Sequence, residues 1–334
     1  MYHNRLWDRP RLVLMNDASH EHDQDLEKQA DQRTEEEIDA AERAAFHVGG
    51  VDRTPTEEEQ LEQIGSYIDA HYPLPPFTPP WAGGDGDPEP ADKWTALLPD
   101  RLTHAGMLML GAGLDHSMPG VAFGTPATVE DLPELGAAAF VPPEPTGAWA
   151  VSLHSGGWWR GAGEAMEMQW RPEVAAAAVL SGTTIIDLDY PLAPEHTVPE
   201  MVSAVEACID HARAQGAKTV TVWGYSSGGA LAVLAGARAD ALVLTFPDLG
   251  SVAKLPDAVR DGAELPAPSE WAPTLAQIGL QDEIAARPEG IDDAAQITVS
   301  ELVAGHRIQT PAVARKKVQQ VADYLREVTP REGK

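Results

Sequence analysis

Thr219-Val220-Thr221-Val222-Trp223-Gly224-Tyr225-Ser226-Ser227-Gly228-Gly229-Ala230-Leu231 changes character midway. Its first half is a short β-run carried by Val220, Val222 and Trp223, and its second half opens a helix of small apolar residues, Ala230 to Ala237. Between them stands G-x-S-x-G, formed by Gly224, Ser226 and Gly228. That order puts a serine at the tip of a strained strand-to-helix turn, with its hydroxyl projecting off the sheet edge. Glycines flank it because a β-carbon would collide where the helix packs back on the strand. The hydroxyl then lies near a helix N-terminus, whose unpaired N–H groups favour developing negative charge. Alone, the pentapeptide is a weak signal that ordinary turns also match; the strand before it and the helix after it give it weight.

The 334 residues allow one large α/β domain with an extension, or two domains, and a hydrophobic fraction of 43% fills a sizeable core. A formal charge of −28, from 52 acidic and 24 basic side chains, excludes electrostatic binding of nucleic acid or an anionic membrane. The acidic excess serves solubility, or else gives the N-terminal region a basic protein partner. Cys208 is the one cysteine and has no intrachain disulfide partner, so it reads as a small buried residue. Met1 to Asp8 lacks an apolar signal region, and Leu12-Val13-Leu14-Met15 is too short for one. No run approaches the roughly 18 apolar residues of a membrane span. The reading is a soluble, cytoplasmic protein. Cys, His, Asp and Glu show no metal-ligand spacing and no glycine loop cradles a phosphate, so neither metal nor cofactor is expected.

Outward from the elbow, residues 1–15 read as an apolar-basic docking arm and Asp17 to Arg43 as a solvated helix or disordered segment. Thr56-Glu57-Glu58-Glu59 is a capping-box pattern, and Leu61, Ile64 and Ile68 follow at helical spacing, so 57–71 is a helix with one apolar face. Pro73 to Pro90, rich in Pro and Gly, reads as a linker or a loop draped over the surface. The division expected is an acidic extension with linker at 1–90 and a catalytic domain at 91–334, whose motif-bearing core spans about 137–328. Strands are predicted at 137–141, 148–153, 183–188, 241–246, 274–278 and 296–303, besides the elbow strand. Helices are predicted over 164–180, 199–215 and 313–328, and 250–272 is irregular. Strands alternating with helices at this spacing predict a mostly parallel, doubly wound sheet covered on both faces.

A serine hydroxyl is a poor nucleophile near neutral pH; it needs a base within hydrogen-bond reach, and that base needs an acid to fix its tautomer. In a doubly wound sheet such groups come from loops at the carboxyl ends of strands. Asp282 stands just beyond the strand ending at Ile278, and His306 just beyond the strand ending near Val303. Glu283 and Asp248 are rival carboxylates, and a helix cap or plain loop residue is the bland alternative for Asp282. His196 and His211 lie upstream of Ser226, which leaves His306 as the candidate base. The oxyanion formed on attack needs backbone donors. Gly156 and Gly157 supply two, unless they mark an ordinary glycine turn, and the N–H of Ser227 supplies a third.

Three motifs carry a resemblance. His154-Ser155-Gly156-Gly157-Trp158 resembles H-G-G-G-[FW], Asp189-Tyr190-Pro191-Leu192-Ala193-Pro194-Glu195 resembles D-Y-R-L-A-P-E, and Gly224-Tyr225-Ser226-Ser227-Gly228-Gly229 resembles G-D-S-A-G-G. In this order and spacing they are similar to the hormone-sensitive-lipase-like carboxylesterase branch of the α/β-hydrolase superfamily. The resemblance covers about 137–328. It implies the α/β-hydrolase fold, Ser226 as nucleophile, Asp282 as acid, His306 as base, and Gly156, Gly157 and Ser227 as oxyanion donors. Ser155 departs from the motif glycine, Tyr225 from the aspartate and Pro191 from the arginine. Residues 1–120 match no cap of this branch. Trp158, Trp159 and Tyr225 are expected to border the substrate pocket, with simple packing as the alternative. The run from Asp189 to Glu195 is expected to brace the oxyanion loop.

The function that follows is hydrolysis of esters of small to medium acyl groups through an acyl-enzyme, because the short insertion at 250–272 leaves little room for a lipase-type lid. An amidase or deacetylase, and a non-catalytic binding protein on the same scaffold, are the alternatives; a complete Ser226, Asp282 and His306 set argues against the last. A small-molecule ester is the expected partner, and a homodimer stays open.

Overall fold

The computed structural model describes residues 54–124 and 127–329. The expected docking arm at 1–15 and the acidic segment at 17–43 lie outside the described residues. From Pro55 onward the described chain forms one compact unit.

Eight strands make one sheet: β1 (Thr128–Leu132), β2 (Ala137–Val141), β3 (Ala148–Leu153), β4 (Thr184–Leu188), β5 (Thr219–Tyr225), β6 (Ala241–Thr245), β7 (Thr274–Gly279) and β8 (Ile297–Leu302). Their spatial order is β1-β2-β4-β3-β5-β6-β7-β8. The pairs β1–β2 and β2–β4 are antiparallel, and every pair from β4 through β8 is parallel. β5 lies between β3 and β6 and is buried along all seven residues, as a strand covered on both faces must be. Its carboxyl end is therefore where the loops after β3, β6, β7 and β8 meet.

The main helices are α1 (Glu57–His71), α2 (Glu89–Ala96), α3 (Leu98–Leu110), α4 (Arg171–Ser181), α5 (Val198–Ala214), α6 (Ser227–Ala235) and α7 (Pro311–Glu327). On one face Met201, Val205 and Ile209 of α5 and Leu231 of α6 join Val151 and Val222 of the sheet in one apolar core. On the other, Val174 of α4 and Val318, Val321 and Leu325 of α7 join Ile185, Trp223 and Val243. Two ionic contacts cross the second core. The Lys317 ammonium meets Glu173 at 3.0 Å, joining α7 to α4, with both side chains buried. The Asp187 carboxylate at the end of β4 accepts from Ser152 Oγ at 2.7 Å, Trp170 Nε1 at 3.0 Å and Arg171 Nε at 3.0 Å.

The expected helix at 57–71 is α1, and its capping box is present: Glu59 N–H donates to Thr56 Oγ1 at 3.3 Å and Thr56 N–H to Glu59 Oε2 at 2.9 Å. Its apolar face packs against α2 and α3. Ile64 and Ile68 are fully buried in a cluster with Trp94, Leu98 and Leu102, each contributing about 1.5–3 kcal/mol by burial. Segment 91–120, which has no clean periodicity, carries α2 and α3. The helix expected over 164–180 is broken into a short turn at 163–165, a π-turn over Met166–Trp170 and then α4. β1 was not legible because four of its five residues face solvent and its Glu130 and Asp131 are poor strand formers.

Candidate active site

Ser226 sits between β5 and α6 with φ 59° and ψ −120°, a positive φ on a residue that has a β-carbon. Such backbone costs about 1–3 kcal/mol and persists only where the surroundings fix it. They do so here. Ser226 N–H donates to Thr245 O on β6 at 3.0 Å, and Asp248 N–H donates to Ser226 O at 3.1 Å. The flanking glycines are demanded by space: a Cβ on Gly224 would lie 2.0 Å from Gly228 O, and one on Gly228 2.4 Å from His154 O. The result is a serine hydroxyl held at the carboxyl end of the central strand, only 6% exposed.

Three loops converge on that hydroxyl. Ser226 Oγ lies 2.8 Å from His306 Nε2, and His306 Nδ1 lies 2.8 Å from Asp282 Oδ2. A carboxylate can only accept, so the proton on Nδ1 points to Asp282 and Nε2 keeps its lone pair for the serine hydroxyl. The other Asp282 oxygen accepts from Ile284 N–H at 2.9 Å and Ala285 N–H at 2.7 Å. Burial pushes the Asp282 pKa up, but the His306 hydrogen bond and these two backbone donors outweigh it and hold the group below its ordinary value. Backbone bonds tie the acid loop to the imidazole loop: Leu280 N–H donates to Leu302 O at 2.9 Å and Gln281 N–H to Ala304 O at 3.0 Å. Of the rival carboxylates, Glu283 accepts the backbone N–H of His306 at 2.9 Å, away from the ring, and Asp248 lines the cavity beside Ser226.

The loop after β3 approaches from the other side. Gly156 has φ 142°, and a Cβ there would lie 1.7 Å from Arg160 O, so no other residue fits. Its N–H makes no hydrogen bond among the described residues. The N–H of Ser227 belongs to the first turn of α6, where donors have no intrahelical acceptor. The Gly157 N–H is engaged: it donates to Ser227 Oγ at 2.9 Å. The sequence reading gave Ser227 a role only through its backbone. The signal for its side chain was the serine standing where the resembled motif has alanine.

The run from Asp189 to Glu195 braces this loop. Ala193 N–H donates to Trp158 O at 2.9 Å and the Tyr190 hydroxyl to His154 O at 3.0 Å. His154, stacked on Tyr190 at 4.3 Å, is buried, which pushes its pKa down to about 4. Trp158 and Trp159 are buried and also line the cavity; Trp158 Nε1 donates to Ser251 Oγ at 2.9 Å. Tyr225 lines the cavity too, and its hydroxyl donates to the carbonyl of His306.

The cavity over Ser226 holds about 210 Å³. Part of its wall comes from chain far upstream: Phe77, Trp81, Trp94 and Leu98 line it. Asp92 of α2 clasps the loop after β3, accepting from Gly161 N–H at 3.0 Å and facing Arg160 Nη1 at 3.4 Å. Phe77 and Trp81 were missed in the sequence because a proline-rich stretch reads as a linker whichever surface it drapes over, and Trp94 and Leu98 because their segment has no clean periodicity. Among the described residues no group of three or more His, Cys, Asp or Glu is placed to hold a metal ion, and no helix is long and apolar enough to cross a membrane.

A family model described as alpha/beta hydrolase fold matches residues 150–260. Among solved structures, an esterase from the bacterial hormone-sensitive lipase family is 16% identical with a TM-score of 0.53, covering 81% of this chain and 98% of its own. EstE1, a thermophilic and thermostable carboxylesterase cloned from a metagenomic library, is 18% identical with a TM-score of 0.52, covering 73% of this chain and 98% of its own. At these identities the likeness is one of fold. No curated protein matched the sequence.

Proposed function

We propose that this chain, an α/β-hydrolase by fold, is a serine hydrolase that cleaves carboxylic esters of small to medium acyl groups. The observation that carries the reading is the unbroken hydrogen-bond relay from Ser226 Oγ through His306 to Asp282, with both links at 2.8 Å. Ser226 Oγ attacks the acyl carbon as its proton passes to His306 Nε2, and Asp282 stabilises the imidazolium so formed. The carbonyl oxygen, now negative, takes hydrogen bonds from Gly156 and Ser227 N–H. Gly157 joins them by exchanging its Ser227 Oγ contact for the oxyanion. Collapse of the tetrahedral adduct breaks the ester bond, and the alcohol leaves with the proton from His306. Water, deprotonated by the same imidazole, then releases the acid and restores Ser226.

The size limit follows from the cavity, whose volume of about 210 Å³ suits a small to medium acyl group. In this reading residues 91–334 are the catalytic domain, and the extension ahead of them shapes its specificity through Phe77 and Trp81. The test is hydrolysis of p-nitrophenyl acetate and butyrate by the purified protein. Turnover that Ser226→Ala abolishes supports the proposal. No turnover, or equal turnover in Ser226→Ala, defeats it.

A further inference from the structure

We infer that the substrate carries a carboxylate, or an anion of like geometry, received by the Arg307 guanidinium in the cavity above Ser226. This rests on the hydrolase reading of Ser226 and names the class of ester.

Basic side chains are scarce in this chain, 24 against 52 acidic. Yet Arg160, Lys254 and Arg307 all line this cavity, against Asp248 as its one lining carboxylate. A cleft lined by one sign of charge with low-dielectric walls concentrates the opposite charge. The lining aromatic side chains Phe77, Trp81, Trp94, Trp158 and Trp159 provide such walls.

The state of each cation's partners matters more than the sum. Asp92 is shared between Arg160, at 3.4 Å, and the Gly161 backbone, at 3.0 Å. Asp248, whose pKa burial pushes up, is the carboxylate that feels Lys254. Among the described residues Lys254 Nζ has no ion pair or hydrogen bond, and the Arg307 guanidinium is held by one loose contact. Among the described residues the one ionic contact of Arg307 is Glu283 Oε1 at 3.7 Å, too long for a hydrogen bond, and the other Glu283 oxygen already holds the His306 backbone N–H at 2.9 Å. Among the described residues its guanidinium makes no hydrogen bond.

The Arg307 side chain is nevertheless held in place. Its guanidinium lies over the Phe77 ring at 4.1 Å, and Arg160 lies over the same ring at 4.5 Å. Two cations crowd one aromatic ring, a costly arrangement that an anion would relieve. A guanidinium fixed by stacking, short of acceptors and facing a cavity, is a preorganised receptor for a planar carboxylate. Because Arg307 directly follows His306, that carboxylate is held at a set distance from the ester bond.

The anion can sit on the acyl side or the alcohol side of the ester, and two pairs of substrates separate these. The acyl pair is the p-nitrophenyl monoester of adipic acid against that of adipic acid monoamide. The alcohol pair is p-carboxyphenyl butyrate against p-carbamoylphenyl butyrate. The inference predicts that in one pair kcat/KM for the carboxylate exceeds that for its neutral isostere by about tenfold or more. In Arg307→Gln that ratio falls about tenfold, and Arg307→Lys, which keeps charge without the fork, recovers part of it. Equal kcat/KM within both pairs, or a preference unchanged in Arg307→Gln, overturns the inference and leaves the hydrolase reading standing. If none of the four esters turns over while p-nitrophenyl butyrate does, the inference is overturned and the hydrolase reading stands; if p-nitrophenyl butyrate is inert as well, the hydrolase reading fails. Calorimetry of adipate against adipamide binding then decides the anion claim: tighter adipate binding that Arg307→Gln removes supports it, and equal or absent binding overturns it.

Discussion

The Tyr225 hydroxyl donates a hydrogen bond to the backbone carbonyl of His306. The residue before the serine thus reaches across the sheet end to hold the loop that presents the imidazole, while the Tyr225 ring packs 5.7 Å from that imidazole. Burial also pushes the phenol pKa up, so it stays a donor at every working pH. Tyr225→Phe keeps the ring and removes the tether. The expected result is a stability loss of about 1 kcal/mol and a fall in kcat of about tenfold with little change in KM. Chemical denaturation and steady-state kinetics check this. A variant that loses stability but keeps its kcat shows that the tether only packs the loop.

Asp282 divides its oxygens between His306 Nδ1 and two backbone donors, Ile284 and Ala285 N–H. In Asp282→Asn an amide N–H can replace the acceptor facing Nδ1 and reverse the tautomer, putting a proton on Nε2 where the serine needs a lone pair. The fold is expected to survive, and kcat to fall by about 10³–10⁴. Circular dichroism and turnover together make the check; a fall of less than about tenfold contradicts the role given to this carboxylate.

Ser227 Oγ accepts the Gly157 N–H at 2.9 Å. In Ser227→Ala the Gly157 donor loses its buried acceptor and the oxyanion loop loses a link to α6. The prediction is a fall in kcat/KM of about tenfold, carried mainly by kcat, since one misplaced oxyanion donor costs about 10²–10³ at most. Unchanged or faster turnover would show that Gly157 serves better without this partner.

His154 supplies a pH signature. Burial, with the nearby Arg160 and Arg171 charges adding to it, pushes its pKa in the folded protein down to about 4 from the ordinary 6.5. Between these values the unfolded imidazole binds a proton that the folded one refuses, so stability rises with pH across this window. The full contribution is present above pH 6.5 and is lost as the pH falls toward 4, about 3 kcal/mol in all. His154→Phe keeps the stack on Tyr190 and removes the titration. Urea midpoints at the two ends of the window are expected to differ less for the variant than for the wild type. An equal difference rules out His154 as the source.

The sheet core and the residues around Ser226 were legible because each obeys a local rule. Val220, Val222 and Trp223 mark a β-run, Gly224 and Gly228 mark a turn no β-carbon can enter, and Asp282 and His306 each follow the end of a β-run. The cavity wall obeys no such rule. Phe77 and Trp81 lie in a proline-rich stretch, and only the packing of Ile64 and Ile68 against α2 and α3 places that stretch in one compact unit with Ser226. Arg307 was hidden differently: it stands beside His306 in sequence, but its lack of acceptors becomes visible only once Glu283 is seen to be committed elsewhere. The exposed edge strand β1 was missed because it buries too little to leave a pattern.

Covalent trapping shows whether Ser226 is a nucleophile activated by His306. The full-length protein is treated with a fluorophosphonate and the modified peptide identified by mass spectrometry. One label per chain is expected on Ser226, absent in Ser226→Ala and slowed by about 10³-fold or more in His306→Ala. Labelling at another residue, no labelling at all, or an undiminished rate in His306→Ala would contradict this role for Ser226.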